Sequence, residues 1–72
     1  MAVDIRRYTR VIIRKNKLYL QGKNLIDGSL IWSNSKYNAW WTRDAEYARD
    51  VARITGGTAM LFNPVVGRTA VL

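Results

Sequence analysis

The sequence predicts an α+β fold, a small two-layer sandwich of order β-β-β-α-β in which an antiparallel sheet carries one helix on one face. Three observations point to it. Tyr8 to Lys15 is rich in β-branched residues (Thr9, Val11, Ile12, Ile13) and runs straight into Asn16, which tolerates the positive φ of a tight turn. Asp27-Gly28 is a hairpin dipeptide between two further apolar runs. Arg43 to Thr55 then places Ala45, Ala48, Val51, Ala52 and Thr55 at helical spacing ahead of Gly56-Gly57. Segregated in this order, strands and helix build two layers around one core.

Each element has its own justification. With Asn16 and Lys17 as a two-residue loop, the strand from Leu18 to Asn24 returns antiparallel, so that Ile13 faces Leu20 and Val11 faces Gly22 on one side, while Arg14 faces Tyr19 and Arg10 faces Lys23 on the other. That register makes one face apolar and the other basic. Both Asp27 and Gly28 accept the φ > 0 of a type I′ turn, which delivers the chain into Leu30 to Ser33 as a third strand. Ser33 to Trp41 is polar and aromatic and reads as a loop. Thr42 stands at the helix cap, with Asp44 and Glu46 near the positive end of the dipole, and the small inner residues of the helix let it approach a sheet closely. Thr58 to Phe62 is a fourth strand, ended by Asn63-Pro64 because proline cannot donate to the ladder. Val65 to Leu72 is either a fifth short strand or a loose tail. The 72 residues form one domain, with 1–7 and 65–72 as loose or edge-pairing termini.

Composition narrows the chemistry. The chain has no His and no Cys, which removes disulfides, thiolate metal sites, cysteine nucleophiles and the commonest general base. No paired carboxylates, nucleophile–base pair, phosphate-cradling glycine loop or metal constellation is found; Gly56-Gly57 has helix-terminating and not nucleotide-binding spacing. Neither an enzyme, a cofactor nor a metal is therefore expected. No apolar run approaches a signal-peptide core or a membrane span, so the expectation is a cytoplasmic protein without a membrane partner.

Twelve Lys and Arg against five Asp and Glu give a net charge of +7. It is local: Met1 to Asn24 holds seven bases against one acid, +6, whereas Leu25 to Leu72 carries +1. On the basic hairpin face, Tyr8, Arg10, Arg14, Tyr19 and Lys23 project together, with Lys17 in the turn. Rings that stack on bases and cations that neutralise phosphates are the chemistry of a nucleic-acid surface, or of one that meets an acidic partner. The bland reading is a solvated face with Arg14 over Tyr19. Trp32 reads as core. Trp40 and Trp41 are adjacent and point to opposite sides, so that either one is accessible and, beside Tyr37, makes a natural protein-partner anchor, because Trp, Tyr and Arg dominate binding hot spots, or both rings wrap the small core. Mixed charges on the outer helix face read as solvated.

The succession Trp32-Ser33, Tyr37, Ala39-Trp40, Thr42-Arg43, Ala48, Val51-Ala52, Gly56-Gly57 and Phe62-Asn63-Pro64 resembles short uncharacterised proteins encoded by bacterial phages and prophages, over about Trp32 to Pro64. The resemblance implies a context and no active site: such proteins are often inhibitors or adaptors that bind host machinery, anti-CRISPR proteins being one class. Two functions follow as expectations. The first is a non-enzymatic interaction protein that binds a host protein or nucleoprotein complex, inhibiting a nucleic-acid-handling defence system. The second is direct nucleic-acid binding through the hairpin face. A homodimer through an uncovered edge strand is open in either case.

Overall fold

A computed structural model describes residues 10–72; Tyr8 and the 1–7 terminus lie outside the described residues. Five strands, β1 (Arg10–Lys15), β2 (Leu18–Lys23), β3 (Leu30–Ser33), β4 (Thr58–Asn63) and β5 (Arg68–Val71), form one antiparallel sheet in the order β3-β2-β1-β4-β5. Among the described residues a 3-10 turn over Lys36–Asn38 and one helix, α1 (Ala45–Thr55), lie between β3 and β4 in sequence. The predicted α+β order therefore holds, and the segment left open between strand and tail supplies β5, in which Met60 faces Val71 and Phe62 faces Thr69.

The first turn forms as expected, with Asn16 at φ 57°, Lys15 opposite Leu18 and Arg14 opposite Tyr19. Lower down, the expected pairs Ile13–Leu20, Val11–Gly22 and Arg10–Lys23 do not form. The β1–β2 ladder ends at Arg14–Tyr19, and between Leu20 and Gly22 the β2–β3 register slips by one residue, a bulge in β2. The backbone groups this frees need partners. Trp40 to Thr42 supplies them: Val11 N–H donates to Thr42 O at 2.8 Å, Thr42 N–H donates to Val11 O at 3.0 Å, and Trp40 N–H donates to Leu20 O at 2.8 Å.

The second turn also differs from expectation. Instead of a two-residue type I′ turn, the chain closes between Asn24 and Ser29, and only Gly28, at φ 75°, takes positive φ. Asn24 accepts from Ile26 N–H and Asp27 from Ser29 N–H, each at 2.9 Å, so two side-chain turns satisfy a longer loop locally.

Helix α1 starts two residues later than expected. Its cap is Asp44, which accepts from Tyr47 N–H at 3.1 Å, while Thr42 accepts from Asp44 N–H at 3.1 Å and steadies the entry. Gly56, at φ 76°, closes the helix in the left-handed conformation. The small inner residues act as expected: Ala48 and Ala52 are buried against Val11, Ile13, Leu20 and Ala59, with Trp32, Trp40 and Leu61 packed around them. Closeness of the sheet requires Gly57, where an added Cβ would lie 2.6 Å from Ile13 Cγ2 and 2.9 Å from Arg14 O.

The opposite face of the sheet is not simply basic. Ile12, Met60 and Phe62 are buried there with Ala39, and Tyr19 packs against them. Ile12 lies between Arg10 and Arg14 on the same side of β1 and faces Met60, while Arg10 faces Phe62. Because β4 is apolar at every position from Ala59 to Phe62, both of its faces need cover. The helix covers one, and the irregular segment around Ala39 covers the other.

A cation and aromatic surface on the loop-covered face

The loop that covers the second face is held at several points. Ser33 Oγ accepts from Ser35 N–H at 3.1 Å and sets up the 3-10 turn, which Ala39 N–H closes onto Lys36 O at 3.3 Å. Tyr37 meets Phe62 edge-on, ring centroids 5.3 Å apart at 76°. Lys36 Nζ passes 5.7 Å from the same ring and donates to Gly67 O at 2.6 Å, clipping the loop to the turn between β4 and β5. Gly67 suits that junction twice over: its φ is +74°, and an added Cβ would lie 2.8 Å from Tyr37 Oη.

This packing leaves an open depression of about 370 Å³ lined by Tyr19, Asn34, Ser35, Lys36 and Tyr37. Further along, the backbone bonds from Trp40 and Thr42 fix Trp41 between two strands. The adjacent tryptophans point apart as expected. Trp40 turns to the helix side and meets Tyr47 edge-on at 5.9 Å, whereas Trp41 remains 40% exposed. The Arg10 guanidinium lies 4.8 Å from the Trp41 ring centre and that of Arg43 5.9 Å.

Two of the expected groupings thus merge. Tyr19 of the hairpin shares a depression with Tyr37 of the loop, and Arg10 of the hairpin stacks on Trp41. Arg14 stands opposite Tyr19 on the same face. Lys17 and Lys23 lie at opposite ends of β2, in the first turn and at the foot of the second, and join neither group. Lys23 is not opposite Arg10, so no like-charge pair exists to demand an anion between them. Trp32 packs on the core as expected, with Lys15 Nζ 5.8 Å from its ring.

Two cations of this surface, Lys36 and Arg43, escape a reading based on the hairpin alone. Their only sequence signal is that they flank Tyr37 and Trp41. Among the described residues the one ion pair is Arg53 with Asp50, 2.6 Å apart on the exposed helix face. No carboxylate among them neutralises Arg10, Arg14, Lys36 or Arg43 at ion-pair distance. Among the described residues the one acid with a shifted pKa is Asp27, held below its ordinary value by the Ser29 hydroxyl at 2.7 Å and the Ser29 N–H. No group of three or more acidic side chains gathers among the described residues.

Fold and site together define a small α+β domain that presents cations and half-exposed rings on one sheet face. No family model matches the chain, and no curated protein or solved structure matches it either.

Proposed function

We propose that the protein is a small non-enzymatic interaction protein that docks its loop-covered face on a negatively charged host macromolecule. The observation that carries this reading is the Arg10–Trp41–Arg43 cluster: a tryptophan 40% exposed, fixed through its neighbours' backbone and flanked by two guanidinium groups. Arg and Trp in one rigid cluster are the residue types that dominate protein hot spots. The rings also have structural occupations, Tyr37 on Phe62 and Trp41 under Arg10, which favours a protein partner over a free platform for stacked bases. In the phage setting that the sequence resemblance implies, the partner is a host protein or nucleoprotein complex that handles nucleic acid. Occupying its channel inhibits it, as anti-CRISPR proteins do.

Direct nucleic-acid binding is the second reading, favoured by Arg10, Arg14, Lys36 and Arg43 lying on the same side without carboxylate partners among the described residues. Fluorescence-anisotropy titration with single-stranded and duplex oligonucleotides at about 50 and 200 mM salt separates the two. The protein-partner reading expects weak association, indifferent to nucleic-acid form. Saturable binding that prefers one form and is lost in Arg10→Ala with Arg14→Ala would overturn it in favour of the second.

A further inference from the structure

Strand β1 runs antiparallel to both β2 and β4, so the turns that leave β2 and β4 emerge at one end of the sheet, the end at which Arg10 opens β1. Each of these turns carries an adjacent apolar pair in solvent. Leu25 and Ile26 are 95% and 97% exposed, and Val65 and Val66 are 90% and 63% exposed. Isolated apolar residues on a surface need no explanation, but adjacent pairs on two turns at one end are a different pattern. The turn does not require them: hydrogen bonding around Leu25 and Ile26 runs through the Asn24 and Asp27 side chains and the backbone, so polar residues would serve as well. Leu30 and Ile31, about two-fifths exposed, continue the apolar surface up the same hairpin.

Charge at this end is mostly positive. Lys23 closes β2 with its stem beside Gly28, and the exposed Arg68 opens β5 opposite Asn63 at the foot of β4. The opposing charge at the tip, Asp27, has its carboxylate folded back onto Ser29.

We infer that this end of the sheet docks on the surface of an anionic lipid bilayer, with Leu25–Ile26 and Val65–Val66 entering between the headgroups and Lys23 and Arg68 meeting the lipid phosphates. A nucleic acid offers no receptor for four exposed aliphatic side chains. Two tips with a strand between them do not make the single convex patch that a protein pocket matches, whereas a bilayer receives both at once without shape complementarity. A chain of net charge +7 is drawn to an anionic leaflet over a distance. Among the described residues no helix is long and apolar enough to cross a membrane, and the attachment inferred here is a peripheral one. The expectation of no membrane partner rested on the lack of a long apolar run, which bears on spanning and not on tips assembled by folding. This surface is the end of the sheet and does not depend on the function proposed for its face.

The test is co-sedimentation of the full chain with vesicles of phosphatidylcholine alone and of phosphatidylcholine with phosphatidylglycerol. The parent is expected to sediment with the phosphatidylglycerol vesicles. Leu25→Ser with Ile26→Ser, and separately Val65→Ser with Val66→Ser, should each weaken partitioning by at least about tenfold, with circular dichroism confirming the fold. Ile26→Trp adds a second readout that survives a folding failure of the serine variants: brominated lipid tails should quench its fluorescence beyond any quenching of Trp32, Trp40 and Trp41 in the parent. A parent that stays in solution with both vesicles overturns the inference. So does binding that the folded serine variants retain in full, which is adsorption by charge alone, and so does an Ile26→Trp fluorescence that brominated lipid quenches no more than the parent's.

Discussion

The two faces of the sheet bury comparable apolar strips under unlike covers. On one, a capped helix lays Ala48 and Ala52 against Val11 and Ile13, and the close approach is set by small residues and by Gly57. On the other, an irregular loop lays Ala39 over Ile12, Met60 and Phe62, and is held by a lysine clip, an edge-on ring pair and three backbone bonds borrowed from β1 and β2. The helix satisfies its own backbone and needs only a matching surface. The loop has no internal ladder and takes its order from the strands it touches, so its side chains are divided between cover and surface. Binding residues concentrate on loops positioned by a rigid scaffold, and here Tyr37, Lys36 and Trp41 belong to the covering loop.

The largest break in this comparison is expected from Phe62→Ala, which removes a fully buried ring that both Tyr37 and Lys36 lie against. The loss is about 3 to 5 kcal/mol, a large share of what a domain of this size holds, measured by urea unfolding. On the helix face, Gly57→Ala drives a methyl group into Ile13 and the Arg14 carbonyl. It should cost about 2 kcal/mol, with Lys36 and Tyr37 in place as before, so that the two variants separate helix docking from loop cover.

Gly67→Ala strains a left-handed residue and displaces Tyr37 Oη. About 1 to 2 kcal/mol is expected, together with faster amide exchange over Lys36 to Ala39 and little change in α1. Equal acceleration of exchange in helix and loop would show that the two covers form a single cooperative unit. The smallest effect concerns the hairpin tip. Because Ser29 holds the Asp27 pKa below its ordinary value, the Asp27–Ser29 bonds are complete above the ordinary carboxylate range and are lost as pH falls through the lower, folded-state value. An NMR pH titration should show Ser29 shifting with that lowered midpoint, and Asp27→Asn should abolish the transition.

Much of the helix-covered face was legible from sequence, because periodic alanines, a double glycine and β-branched strands are local signals. The Asn16 turn and the opposite orientations of Trp40 and Trp41 were legible for the same reason. The loop-covered face was not. Its evidence was spread over Ile12 between two arginines, an apolar run in β4 with no polar alternation, and Ala39 some twenty residues away from it. Only the β4 run gave warning that both faces need cover. The failed Arg10–Lys23 pairing had a cause with no local signature, since a bulge after Leu20 matters only once Trp40 to Thr42 is at hand to occupy the gap. Half of the candidate surface was therefore visible as hairpin and half as loop, and their meeting at Trp41 and Tyr19 belongs to the tertiary fold.

The most direct test of the central claim, that the loop-covered face is a protein-docking surface anchored by Arg10, Trp41 and Arg43, is capture from bacterial host lysate with the partner identified by mass spectrometry. The parent is compared with Trp41→Ala, with Arg10→Ala, and with Arg53→Ala on the helix face as a control. One identified partner should be retained by the parent and by Arg53→Ala, and its recovery should fall at least about tenfold with each of the other two, as for a residue worth 1.4 kcal/mol or more. Equal recovery by all four folded proteins would contradict the claim and move the docking surface off this face.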